Sequence, residues 1–179
     1  MATNVAPDRL AHASTRIRAH SNIADVASYW LVSAGIYFTF GLLFFYSWKE
    51  KLVTDNGNMP APLAKTFNQT FIGSFPGTNT AWTLIGVLEL VVFLAIAASA
   101  LTGEFLPTRR KPILLSGLGL AMFTFAMLAW GENATSEFST VAELFQYLAG
   151  TAVLFVLVLL MPPYRKITWL SGLLSRERE

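Results

Sequence analysis

Residues 82–101, WTLIGVLELVVFLAIAASAL, decide the fold of this chain. At 1.5 Å per residue a helix of this length crosses a hydrocarbon layer about 30 Å thick. A surface helix of a soluble domain would alternate apolar and polar faces, and here no polar face recurs. The one ionisable residue in the stretch is Glu89. With a helix starting near Thr80, its carboxyl group lies roughly 13 Å deep, close to the middle of the hydrocarbon. A lipid-facing carboxylate at that depth costs several kcal/mol. Glu89 is therefore expected to face other helices, either neutral or paired.

The rest of the chain agrees with a membrane setting. Of 179 residues 54% are hydrophobic and 13% charged, and the mean hydropathy is +0.49. That balance leaves too little polar surface for a soluble domain. Four apolar stretches are long enough to span, near 26–48, 80–102, 112–130 and 140–161. They predict an all-α, polytopic four-transmembrane-helix bundle. Residues 1–25 form a polar, basic arm, 49–79 a long loop and 162–179 a tail. Local signals support these limits. Pro76-Gly77 precedes the second span and Gly103 follows it where a helix C-cap belongs. Pro112 suits a first helical turn, and Pro162-Pro163 stops the fourth span.

Basic residues predict the orientation. Arg9, Arg16 and Arg18, then Arg109, Arg110 and Lys111, then Arg165, Lys166, Arg176 and Arg178 fall on one side. The opposite side has Lys49, Lys51 and Lys65. By the positive-inside rule both termini are cytoplasmic and the 49–79 loop faces outward. The expected location is a bacterial or archaeal plasma membrane. The arm from Ala6 to His20 reads either as a basic helix on the membrane surface or as an unstructured extension. In the tail, Ile167–Leu174 is apolar enough to lie at the interface with Trp169 dipping in.

With no cysteine in the chain, disulfides, thiol redox chemistry and iron–sulfur ligation are excluded. His12 and His20 both precede the first span, so no pair of intramembrane histidines can hold haem. No phosphate loop, nucleophilic triad or metal box is present. The basic residues fit topology and anionic lipid and give no reason to expect nucleic acid.

Candidate site residues gather around Glu89. Lys49 and Lys51 follow the first span on the side where the second begins; taken singly they read as snorkelling anchors, and either is also placed to lean toward the acid. Reach is the difficulty, and water or a group such as Tyr46 or Ser47 is expected to bridge the gap. Gln146 and Tyr147 on the fourth span are further candidate partners, equally readable as interhelical glue. Trp82 heads the helix that carries Glu89. Glu143 is assigned to a capping box with Thr140. Phe67, Phe71 and Phe75, four residues apart, predict a short amphipathic helix capping the bundle, with a lid over a site between the helices as the compatible alternative. Gly86 and Gly150 read as close-packing positions between helices.

A four-span chain with Lys51-Leu52 at the end of its first helix, a loop rich in Phe, Gly and Pro, and GVLELVVFLAIAASALTGEF at 86–105 resembles the DoxX-like family. That family includes the small subunit of a thiosulfate:quinone oxidoreductase. The resemblance covers roughly Trp30 to Met161 and aligns Glu89 and Lys51, or Lys49, with the family's acid and lysine. It implies a redox-associated accessory subunit beside a quinone-using or electron-transfer partner, with no intrinsic cofactor and with quinone as the candidate ligand. Any catalysis would then belong to a quinone-linked oxidoreductase of which this chain is a subunit. Two other functions stay open: a structural or assembly subunit without a ligand site, and a small transporter or lipid-binding protein. The expected partners are the lipid bilayer and other membrane subunits or further copies of the chain.

Overall fold

The computed structural model describes residues 6–162, with side chains from residue 25 onward. The tail segment Ile167–Leu174 lies outside the described residues. All described elements are helical. α1 runs Ala6–Lys49 and continues as a π-helical turn, Glu50–Thr54. Two short helices follow, α2 (Ala61–Phe67) and α3 (Phe71–Ser74). Three long ones complete the chain: α4 (Thr78–Leu101), α5 (Pro112–Asn133) and α6 (Phe138–Leu160). Four segments, Asp25–Thr54, Thr78–Leu101, Pro112–Asn133 and Phe138–Leu160, are long and apolar enough to cross a membrane.

The chain divides into two units, the first ending at Ile36 and the second starting at Tyr37. In the first, helix α1 already begins at Ala6, so the arm from Ala6 to His20 is helical and continuous with the first span. The second unit contains the packed core. Phe40 and Phe44 of α1 are buried, and the Phe44 ring lies 5.6 Å from that of Phe125 on α5. Phe45 sits 5.4 Å from Phe93 on α4. Along α4 the buried residues are Gly86, Glu89, Val92, Ile96 and Ser99, a stripe at helical spacing that includes the acid. Gly117 lets α5 close on α4, since a Cβ there would meet Ala95 and Ile96 at 3.2 Å. α6 packs on α5 and exposes much of its surface, including Phe145, Val153 and Val156.

Several local expectations change. The first span does not stop at Trp48. The helix carries on through Thr54, so Lys51 lies inside it rather than beyond it. The capping box at Thr140 and Glu143 does not form. α6 starts two residues earlier, at Phe138, and its N-cap Glu137 makes no side-chain cap bond. Phe67, Phe71 and Phe75 do not share one helix, because the chain breaks at Asn68–Thr70 and Thr70 caps α3 through the Ile72 amide. Phe67 is buried, whereas Phe71 and Phe75 are exposed. The end signals hold: Gly103 follows α4 with φ +74, and Pro112 opens α5.

Candidate functional site: a buried ion pair beneath a tryptophan

α4 turns Glu89 toward the core, where it is 2% exposed. The π-helical turn that continues α1 brings Lys51 against it, and Lys51 is 7% exposed. Its Nζ lies 3.1 Å from both carboxylate oxygens and donates a well-aligned hydrogen bond to Oε1. Oε2 has no aligned hydrogen-bond donor among the described residues. The same ammonium donates to Ser47 Oγ at 2.9 Å, one helical turn earlier on α1. The Ser47 hydroxyl is in turn a hydrogen-bond partner of the Glu89 carboxylate. The third face of the ammonium is covered by Trp82, whose ring centroid is 4.8 Å from Nζ. A cation held over an indole gains about 0.5–2 kcal/mol, more when desolvated.

Close approach of the two helices depends on Gly86. A Cβ at that position would lie 2.8 Å from Leu52 Cδ2 and 3.1 Å from Lys51 Cβ. The glycine thus clears the space that the Lys51 stem occupies, one turn before Glu89.

Trp82 in turn is fixed by the loop. Its Nε1 donates to Asp55 Oδ2 at 3.2 Å. The loop is anchored to the head of α4 by Thr83 Oγ1 to Gly57 O (3.1 Å) and Met59 N to Asn79 Oδ1 (3.0 Å). Met59, Phe67 and Ile72 form a small core of their own, against which Leu63, Ala81 and Trp82 pack. Beside that core lies an apolar cleft of about 130 Å³, between the loop helices, the head of α4 and the end of α5. Trp82, Phe67, Ile72, Met127 and Trp130 line it, and Glu132 is its one acidic residue. One indole therefore borders both the cleft and the ion pair.

The sequence candidates are sorted by this geometry. Glu89, Lys51 and Trp82 come together. The contact between the first two is direct and needs no bridging water or side chain, because the helix continues past Lys51. Lys49 instead lies 5.9 Å from the Phe45 ring and is exposed. Tyr46 is exposed and stacks edge-on with Phe45. Tyr147 is half-exposed and stacks on Phe125, and Gln146 is exposed. None of these four is joined to Glu89 among the described contacts.

A second buried acid, Glu104, was not among the candidates. It lies in the α4–α5 connection, 5% exposed. Its oxygens accept the amides of Ile113 (3.0 Å) and Leu114 (2.8 Å) in the first turn of α5, and Ser99 Oγ at 2.9 Å. Tyr37 of α1 joins Ser99 at 2.6 Å. Two otherwise unsatisfied amides and the positive end of the α5 dipole are thereby neutralised from outside the helix. In sequence, a charged residue one position after a C-cap glycine reads as surface. The only hint was Pro112, which marks a helix start without indicating what satisfies it.

Comparison with protein-family models, with curated proteins and with solved structures gives no match.

Proposed function

We propose that this chain is a DoxX-like integral membrane protein that serves as an accessory subunit of a quinone-using complex, with Lys51, Glu89 and Trp82 forming the polar end of its quinone site. The observation that carries the reading is the buried Lys51–Glu89 pair packed against the Trp82 indole, which also borders the apolar cleft. On this reading a quinol hydroxyl donates to Glu89 Oε2, and a quinone carbonyl accepts from the Lys51 ammonium in place of Ser47. The apolar cleft against Trp82 offers a place for the ring or the first part of an isoprenoid tail. The chain contributes position and a proton acceptor, while the electrons pass between the quinone and a partner complex.

The test is a titration of the purified protein with a short-chain quinone, followed by tryptophan fluorescence, for the natural chain and for Glu89→Gln and Trp82→Leu. Saturable quenching that weakens at least tenfold in both variants, with unchanged helicity, is the expected result. Quinone binding unaltered by Glu89→Gln refutes the site.

A second reading has its own support. Lys51 has an acceptor or a ring on each side and is not waiting for a ligand. On this reading the pair is a pin between α1 and α4 in an assembly subunit. It predicts that Glu89→Gln changes stability and leaves quinone binding and turnover of native membranes unchanged.

A further inference from the structure

At the opposite end of α4 and α5 from the ion pair lies a cavity of about 200 Å³. One wall is Arg109, Arg110 and Lys111 of the α4–α5 connection; the other is Leu115 of α5 with Val158 and Leu159 of α6. The three cations differ in what they do. Lys111 is buried, and its ammonium donates to Pro162 O at 2.7 Å, tying the connection to the end of α6. It also donates to the carbonyls of Arg109 and Leu106, and its charge faces Glu104. Arg109 and Arg110 are exposed, and neither guanidinium has a carboxylate partner among the described residues.

The α5 N-terminus adds little here, because Glu104 already takes the amides of Ile113 and Leu114. The attraction for an anion therefore comes from two guanidinium groups that have no carboxylate partner among the described residues. The position of the cavity narrows the ligand further. Its basic rim stands where one membrane-length helix, α5, begins and another, α6, ends, the level at which headgroups lie around spanning helices. Its apolar wall belongs to the spans themselves. A free phosphate satisfies only the rim, and an acidic peptide would leave the apolar wall uncovered. A molecule with an anionic head joined to an aliphatic chain satisfies both.

We propose that this cavity binds an anionic phospholipid, with Arg109 and Arg110 forking onto the phosphodiester and an acyl chain lying along Leu115 and Leu159. Planar guanidinium groups match phosphate oxygens in pairs, and basic pockets between membrane helices are suited to acidic headgroups.

The test uses the full-length protein in detergent, with retained lipid read by native mass spectrometry. Phosphatidylglycerol and phosphatidylcholine of identical chain length are added in turn. Phosphatidylglycerol is expected to remain bound and phosphatidylcholine to be lost. The double variant Arg109→Gln/Arg110→Gln should weaken phosphatidylglycerol binding about 25-fold, the product of two losses of about fivefold for surface cations. Both arginines are exposed, so the variant should keep its helicity. Leu159→Trp, which fills the apolar wall and leaves the charges in place, should also lower retention. Equal retention of the two lipids, retention of neither, or unchanged binding in the arginine variant overturns the proposal. Displacement of the lipid by millimolar inorganic phosphate overturns it as well, since it would mark a site for the headgroup alone. A similar loss on Lys49→Gln/Lys65→Gln, at the far end, would show general charge attraction and count against the cavity.

Discussion

Replacing Lys51 by Met should be the most damaging single change at the ion pair, and its size follows from the geometry. At 3.1 Å the two charges attract by about 5 kcal/mol, using an effective dielectric constant of 20. Desolvation of both groups offsets much of this, so the pair adds little net stability. Removing only the cation is different: the attraction goes while the carboxylate stays buried. Breaking a buried pair in this way costs about 3–5 kcal/mol. Glu89→Gln is milder, because Lys51 keeps Ser47 as acceptor and the Trp82 face, and the new amide oxygen still accepts. A loss of about 1–3 kcal/mol is expected there. The double variant Lys51→Met/Glu89→Gln should lose no more than about 2 kcal/mol, since a thioether chain and a neutral amide leave no isolated charge. The cycle then has a coupling energy of at least about 2 kcal/mol. The assay is reversible unfolding by increasing sodium dodecyl sulfate in mixed micelles, followed by circular dichroism. Additive losses in the double variant would refute the claim that these two side chains stabilise each other.

Other outcomes follow from the same structure. Glu104→Ala should cost about 2–4 kcal/mol in the same assay by stranding the two amides of Ile113 and Leu114, with Glu104→Gln recovering about half. Gly86→Ala should cost about 1–3 kcal/mol through overlap with Leu52 and Lys51, whereas Gly150→Ala should be neutral or slightly stabilising because nothing lies within 4 Å of its added methyl group. Burial holds the Lys111 ammonium below its ordinary value of 10.5, with Glu104 opposing. Just below pH 10.5 the unfolded chain then binds more protons than the folded one, so stability rises with pH there. Lys111→Gln should flatten that slope in unfolding curves recorded between pH 8 and 10.5.

The spans were legible because length and unbroken hydrocarbon need no tertiary information. The inward facing of Glu89 was legible from cost alone. What the sequence concealed depends on helix ends and on partners far along the chain. Nothing in Trp48-Lys49-Glu50-Lys51 announces a π-helical turn, so Lys51 was placed past the helix and its reach underestimated. Tyr147 lies on one stripe of α6 with Glu143 and Gly150, and Gln146 stands alongside, but α6 packs on α5, and Tyr147 meets Phe125 instead. Thr140 and Glu143 have capping-box spacing, yet the helix had already begun at Phe138. Glu104 was missed because its partners are backbone amides nine and ten residues later, which side-chain identity cannot reveal.

The Lys51–Glu89 contact also imposes an order on biogenesis. Glu89 stands halfway along α4, and an acid at the centre of a helix opposes its entry into lipid by about 2.5–3.5 kcal/mol. Its cation lies 38 residues earlier, at the end of a helix that leaves the ribosome first. When α4 emerges, the group that compensates its acid is already in the chain, at the adjoining helix end. The earlier helix thus supplies the counter-charge that the later one needs to settle.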